Sequence, residues 1–501
     1  MKKIKLPQSY FNYISFLGTI IALIAWISFI FLIVMVDVFN SGNVYSELFT
    51  YLVVPVFLVL GFILIFFGMF LKRRRDRRGL KGTDDKLIIN LKDNRKRNAI
   101  LIFTSITVLF VMSTIVSTYE GFHYTESVAF CGKLCHKVMN PEFVAYQNSP
   151  HARIKCAECH VGEGVSWLVK SKISGFRQVF KYLNESYPRP ISTPIENLRP
   201  ARETCEKCHW PQKFYTDKLH QEKYYLADSC NTEWNVILNM KIGSSHEALG
   251  LNQGIHWHIN PDIKMAYKAD KKRETIYWVE LTNTKTGKKT IYKDEENTIN
   301  ADSLKKLPAR TMDCMDCHNR PSHEFRSPSY YINNLFTSDK ISTSIPWLKK
   351  IVMDALNVTY PTKEAAAAGI KKQITNFYKE KYPSVYKKYD KQIANAISEI
   401  QNSYFQNAFP EMKVTYKEYP RHIGHLETNG CFRCHNDKHK SPEGKTISKN
   451  CYLCHSILGQ GKKDSIVFSD VNKSVKFIHP VDIGNAWKES NCMDCHFDLY
   501  K

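Results

Sequence analysis

Three long apolar runs open the chain. Residues 16–36, 48–71 and 99–119 contain 21, 24 and 21 residues, none of them charged. Each is long enough to cross a hydrocarbon core of roughly 30 Å as a helix. The first is too long for a cleaved signal peptide, and no small-residue cleavage site closes it. Beyond residue 119 the pattern shortens and becomes polar. Apolar and polar residues alternate over residues 273–294 around Thr286 and Gly287, which predicts a β-hairpin. Residues 363–408 are rich in Ala, Lys, Gln and Glu at helical spacing, which predicts two helices separated near Pro383. Residues 165–183 predict an amphipathic helix. Val165, Leu168, Val169, Ile173, Phe176, Val179, Phe180 and Leu183 form one face, and Lys170, Lys172, Arg177 and Lys181 much of the other. With Trp167 at its start, such a helix suits the membrane interface.

Charge orients the spans. Lys2, Lys3 and Lys5 precede the first run, and residues 72–97 hold twelve Lys/Arg against four Asp/Glu. Residues 37–47 hold no Lys or Arg. The positive-inside rule then places the N-terminus and the basic loop 72–98 in the cytoplasm, and everything after the third run outside it. The net charge of +22 is not a nucleic-acid signature in such a protein. The basic loop suits anionic lipid, and the carboxylates of bound prosthetic groups would offset part of the remainder.

Candidate chemistry lies in seven cysteine motifs. Six read Cys-x-x-Cys-His: Cys156/Cys159/His160, Cys205/Cys208/His209, Cys314/Cys317/His318, Cys431/Cys434/His435, Cys451/Cys454/His455 and Cys492/Cys495/His496. The first along the chain, Cys131/Cys135/His136, carries one extra residue between its cysteines. This is the pattern of covalent haem c attachment, with two thioethers per porphyrin and the following histidine as proximal iron ligand. A zinc ribbon would not place a histidine after every pair, and a thioredoxin-like motif would occur once. Seven covalently bound haem c groups are expected. Cys230, the fifteenth cysteine, is expected to be a buried or inert thiol.

Distal ligands are drawn from the other histidines. His246, His256, His258, His422, His425, His439 and His479 are candidates, joined by His151 and His323; His123 and His220 have less support. Met139, three residues after His136, is a candidate thioether ligand. The expected class is a membrane-anchored multihaem cytochrome c, with three transmembrane helices and a mainly α, loop-rich extracytoplasmic haem domain bearing a small β-hairpin insertion. The expected divisions are a membrane anchor over 1–120, a four-haem domain over 121–330 with the insertion near 262–310, a helical linker over 331–420, and a three-haem module over 421–501.

The stretch from Phe130 to His323 resembles the NapC/NirT family of membrane-anchored multihaem quinol dehydrogenases. The likeness is carried by residues 130–139 (FCGKLCHKVM), 149–151 (SPH), 156–160 (CAECH), 199–211 (RPARETCEKCHWP), and 314–318 (CMDCH) followed by His323. The chain is similar to seven-haem, three-span inner-membrane cytochromes of metal-respiring bacteria, which pass quinol electrons outward. The resemblance implies that the first haem lies beside a quinol pocket, with Met139 matching its possible ligand. It implies distal roles for His151 and His323, and a quinol-binding lysine at Lys172, with Lys170 as the alternative. At the position where relatives often carry an acid, this chain has Gln178.

The expected function is oxidation of a quinol, menaquinol by this resemblance, at the outer face of the cytoplasmic membrane, with relay to periplasmic or extracellular acceptors. The expected quinol site comprises Lys172, Lys170 and Gln178, near the end of the third span and the first haem. Expected partners are the lipid bilayer, the quinone pool and periplasmic c-type cytochromes or another redox protein. Nucleic acid is not expected, and a homo-oligomer is left open. The competing class is a terminal reductase for nitrite, hydroxylamine or a sulfur oxyanion with one open-sided haem. A purely structural or haem-storage subunit is the third class.

Overall fold

The computed structural model describes residues 7–33, 54–78, 123–134, 136–161, 165–194, 200–210, 216–243, 254–470 and 473–498, with scattered positions between 94 and 120. The chain forms two units: Met1–Glu126 with Val161–Phe176, and Ser127–His160 with Arg177–Lys501.

The first unit contains two helices long and apolar enough to span a membrane, α1 (Tyr13–Ile33) and α2 (Val54–Arg77). They pack through small residues. A Cβ on Gly18 would lie 2.6 Å from the Gly61 carbonyl oxygen, and one on Gly61 2.7 Å from the Ala22 nitrogen. Backbones therefore approach closely, the usual basis of helix association where lipid removes the hydrophobic driving force. Ser15 Oγ donates to the Ile65 carbonyl at 2.9 Å across the same interface. The third apolar run lies largely outside the described residues, as do residues 79–93 of the basic loop.

In the second unit, α3 (His136–Gln147) follows the first motif. Helix α4 (Val165–Leu183) continues from the first unit into the second. Nine strands form two antiparallel sheets among the described residues. One sheet runs β1 (Lys218–Tyr225), β2 (Glu233–Met240), β8 (His455–Lys462), β9 (Ser465–Phe468). The other runs β6 (Arg310–Thr311), β3 (Ile263–Ala269), β4 (Ile276–Asn283), β5 (Lys289–Asp294), β7 (His439–Lys440). The expected hairpin is β4–β5, but it is the centre of a larger sheet. The expectation of a mainly α domain is thus corrected to a mixed helix and sheet domain. The shorter strands carry little alternation of their own and exist through long-range pairing. Strands β7 and β8 follow motifs five and six, yet pair with β5 and β2, which precede motif four.

The largest apolar core belongs to four helices between motifs four and five: α5 (Pro328–Thr337), α6 (Leu348–Leu356), α7 (Lys363–Lys381) and α8 (Pro383–Asn407). Ile332, Leu348, Val352, Ile370, Ile374, Tyr378, Ile393 and Ile400 are almost wholly buried in it. Pro383 opens α8, where its missing N–H costs nothing. Tyr382 ends α7. Ser327 and Thr362 cap the starts of α5 and α7 through their hydroxyls.

Candidate haem-binding site

Most of the motifs form a tight helical turn. Short helical segments cover Cys156–His160, Cys314–Asp316, Gly430–Arg433, Cys451–Leu453 and Cys492–His496. The turn draws the histidine back over its first cysteine. The amide of His209 donates to the Cys205 carbonyl at 2.8 Å, His318 to Cys314 at 2.8 Å, and His435 to Cys431 at 3.0 Å. Asp313 and Asn450 cap two of the turns through their side chains. No disulfide joins the described cysteines. Cys135 and the His136 side chain lie outside the described residues.

The attachment cysteines differ in how far the chain covers them. Cys208, Cys451 and Cys495 are exposed, whereas the other described members of the motifs are half-buried. Cys495 is thus a surface thiol and not one enclosed by the fold, although it sits in the same turn, Cys492–His496, as its half-buried partner Cys492.

Six motif histidines each face one histidine from elsewhere in the chain. Ring centroids are 6.0 Å apart for His209 and His151, 6.1 Å for His160 and His323, and 6.4 Å for His318 and His256. They are 5.8 Å apart for His435 and His258, 6.2 Å for His455 and His425, and 6.1 Å for His496 and His479. These spacings exceed ring stacking contact. Two imidazole nitrogens, each roughly 2.0 Å from a shared metal, would place their ring centres about 6 Å apart. The six pairs therefore fit one metal each.

The surroundings orient the rings. Nδ1 lies within hydrogen-bond distance of a backbone carbonyl in His151 (Pro321, 3.1 Å), His256 (Ile242, 3.0 Å), His258 (Ile255, 2.7 Å), His323 (Glu142, 2.9 Å) and His479 (Val481, 2.7 Å). Donation there fixes the tautomer and leaves Nε2 as the bare nitrogen that a metal requires. His323 Nδ1 also lies 3.2 Å from the Glu142 carboxylate, which Arg320 holds at 3.2 Å. His425 and His455 each keep a buried Nδ1 without a protein partner, a polarity that a bound group or water has to satisfy. Burial pushes His160, His256, His258, His318, His323, His455 and His496 below the ordinary imidazole range, and His425 to about 4. Neutral rings are the ones that coordinate.

Two expected ligands are drawn elsewhere. His422 Nε2 lies 2.8 Å from Glu274 Oε1 and its Nδ1 3.2 Å from the Asp316 carbonyl. His439, fully buried, has Nδ1 3.0 Å from Asn436 Oδ1 and Nε2 2.9 Å from the Ile276 carbonyl. Neither keeps a ring nitrogen for iron, because hydrogen bonds to the chain engage both. His220 is exposed and bonds Glu222 at 2.8 Å. His246 lies outside the described residues. Met139 is half-buried in α3. Cys230 is exposed, not buried.

Cysteines of successive motifs influence one another electrostatically. The Cys131 thiol donates to Cys156 and holds it down at about 7, and the Cys205 thiol donates to Cys314. Burial raises Cys159, with Glu158, Cys156 and then Cys208 adding to it. Burial and then Cys431 push Cys317 up to about 12 and Cys454 to about 11. Burial also raises Cys492, with Cys451 as a lesser contributor. These six links join motifs one to seven in chain order.

Helix α4 presents Ile173, Phe176, Val179, Phe180 and Leu183 exposed, with Phe176 77% and Leu183 72% accessible. Lys170 Nζ sits 4.8 Å from the centre of the Trp167 ring, and Gln178 is exposed. Lys172 lies in α4, its side chain outside the described ones.

Residues 93–193 match the NapC/NirT cytochrome c family, N-terminal region. The chain is 41% identical over 486 residues to the cytochrome c-type protein ImcH of Geobacter sulfurreducens, covering 97% of this chain and 95% of that protein. It is 20% identical over 214 residues to the cytochrome c-type protein TorC of Escherichia coli, covering 39% of this chain and 54% of that one. No solved structure matches. Near end-to-end identity to a c-type cytochrome and the family match at its membrane-proximal end agree with the paired histidines, and the chain belongs to the NapC/NirT family of c-type cytochromes.

Proposed function

We propose that this chain is a membrane-bound, seven-haem quinol dehydrogenase. It takes electrons from menaquinol at the outer face of the cytoplasmic membrane and hands them to periplasmic or extracellular acceptors. The observation that carries this reading is the set of six histidine pairs, each joining a motif histidine to one from elsewhere in the chain. Haem c, when bound, supplies reversible one-electron chemistry. The chain contributes the spacing of the sites, the neutral tautomers and the burial that keeps water from the ligands. His151, His323, His256, His258, His425 and His479 are the proposed distal ligands. Met139 and His136 lie three positions apart in α3, and residues so spaced share a helix face. His136 is the proposed proximal ligand of the first site and Met139 its candidate second ligand.

Quinol oxidation releases two electrons and two protons. Lys172, on the basic side of α4, is the proposed hydrogen-bond partner of a quinol oxygen, stabilising the charge that develops as a proton leaves. Lys170 is the alternative, and Gln178 is a neutral neighbour one and a half turns further on. The exposed apolar residues of α4 support seating in the bilayer interface, where a lipophilic quinol is concentrated. The competing reductase reading needs an open coordination position, and each of the six described motif histidines has a partner opposite it.

The test is reduction of the purified protein in detergent by a menaquinol analogue. Lys172→Ala should slow that reduction at least about tenfold, the loss of one charge-assisted hydrogen bond of about 1.5 kcal/mol, while mass spectrometry still counts seven haems. No reduction of the unaltered protein by any menaquinol analogue would sink the quinol reading. A high-spin site that binds and turns over nitrite would replace it with the reductase.

A further inference from the structure

Motif five carries an arginine between its cysteines, Cys431-Phe432-Arg433-Cys434. Arg433 is only 8% exposed. Its Nε donates to the Gly430 carbonyl at 2.9 Å, Nη1 to the Arg273 carbonyl at 2.7 Å, and Nη2 to the Asp316 carbonyl at 2.7 Å. All three acceptors are main-chain oxygens, so no carboxylate pairs with this guanidinium directly. Asp316 belongs to motif four, so Arg433 bridges the two motifs.

The neighbouring charges are engaged with one another. The Asp316 carboxylate accepts from Tyr267 Oη at 2.7 Å, from Arg310 Nε at 2.7 Å and from its own turn's Asp313 amide at 2.7 Å. Arg310 also holds Asp313 at 3.0 Å, and Arg273 lies 3.6 Å from Asp316. Glu274 is engaged by His422. Asp294 has its carboxylate bound by the Glu296 and Asn297 amides. Arg433 lies in sequence between the two cysteines of motif five, and its Nη2 reaches the Asp316 carbonyl directly before Cys317 of motif four, so one buried cation adjoins both motifs.

We infer that Arg433 sets the reduction potentials of the fourth and fifth haem sites, holding both up with one shared, permanently charged guanidinium. This rests on the reading of both motifs as haem sites. A one-electron reduction adds one negative charge, and a fixed cation in a poorly polarisable interior favours the reduced form. Guanidinium does not lose its proton at any working pH, so the effect does not switch off. The two sites sit where the family-like motifs one to four give way to motifs five to seven. A raised pair there draws electrons out of the first group and holds them at the entry to the second.

The test is a spectroelectrochemical titration of the full-length protein in detergent, with haems counted by mass. Arg433→Gln is expected to lower two of the seven potentials, each by about tenfold in its equilibrium constant, or about 59 mV. Arg433→Lys keeps the charge without the fork and is expected to leave both within threefold of the unaltered protein. Unchanged potentials in Arg433→Gln overturn the inference, as do equal falls in both variants, which mark a structural role. If Arg433→Gln loses haem, Arg433→Lys decides: retained potentials support the charge, and shifted potentials or loss of haem overturn it. A haem count below seven in the unaltered protein would instead count against the functional reading, which keeps the two failures apart.

Discussion

His258 and His439 lie within the same region and differ in what their second nitrogen meets. His258 spends Nδ1 on the Ile255 carbonyl and turns its other side to His435, whereas His439 spends both nitrogens on the chain. His258→Ala should therefore convert one of the haems from low spin to high spin, read in the charge-transfer band and by low-temperature EPR. His439→Ala should leave that spectrum unchanged and cost about 1–3 kcal/mol of stability, because Asn436 and the Ile276 carbonyl lose a buried partner. Lys349 is the other residue at odds with its surroundings. It is 1% exposed, with Nζ 2.8 Å from Asn333 Oδ1, and burial pushes it down to about 7. The unfolded chain then holds this proton more strongly than the folded one between about 7 and the ordinary 10.5. Stability should rise with pH across that window. Lys349→Met should raise the melting temperature at pH 6 and change it little near pH 10; equal effects at both would contradict the burial argument.

Among the elements, α4 and the α5–α8 cluster use apolar residues in opposite ways. The cluster hides Ile374 and Ile400 completely, and Ile374→Ala should cost about 2–5 kcal/mol by the cavity it leaves, measured as a lower melting temperature. Helix α4 keeps Phe176 and Phe180 exposed. Phe176→Asp with Phe180→Asp should raise the KM for a lipophilic quinol several-fold. Turnover with a water-soluble quinol analogue should stay near that of the unaltered protein. A fall with both donors would place these residues in the fold instead of at the bilayer. The amphipathic pattern of α4 and the Pro383 break between α7 and α8 were legible in the sequence, because helical periodicity is local. The sheet formed by β1, β2, β8 and β9 was not, because it is closed by β2 pairing with β8, more than two hundred positions away.

Across the whole chain, the long gap between motifs four and five reads as a boundary between two haem modules, yet both sheets cross it. Strand β8 hydrogen-bonds to β2, and β7 to β5. Residues 421–501 produced alone should therefore fail to retain three low-spin haems, while the full-length protein retains them; a stable three-haem fragment would restore the boundary. Where haem can attach and where the chain can enter a membrane are local matters, written in the order of residues. Thioether attachment needs only two cysteines and a histidine within one turn, and membrane insertion needs only an unbroken apolar run. Even so, the motif at Cys492, Cys495 and His496 does not reveal that Cys495 is exposed and Cys492 half-buried. Folding alone chose which histidine stands opposite each motif, from His323 facing His160 to His258 facing His435. That choice depends on bringing together two histidines from distant parts of the chain, 163 positions apart for His160 and His323 and 177 for His258 and His435. No local pattern of residues records such a contact.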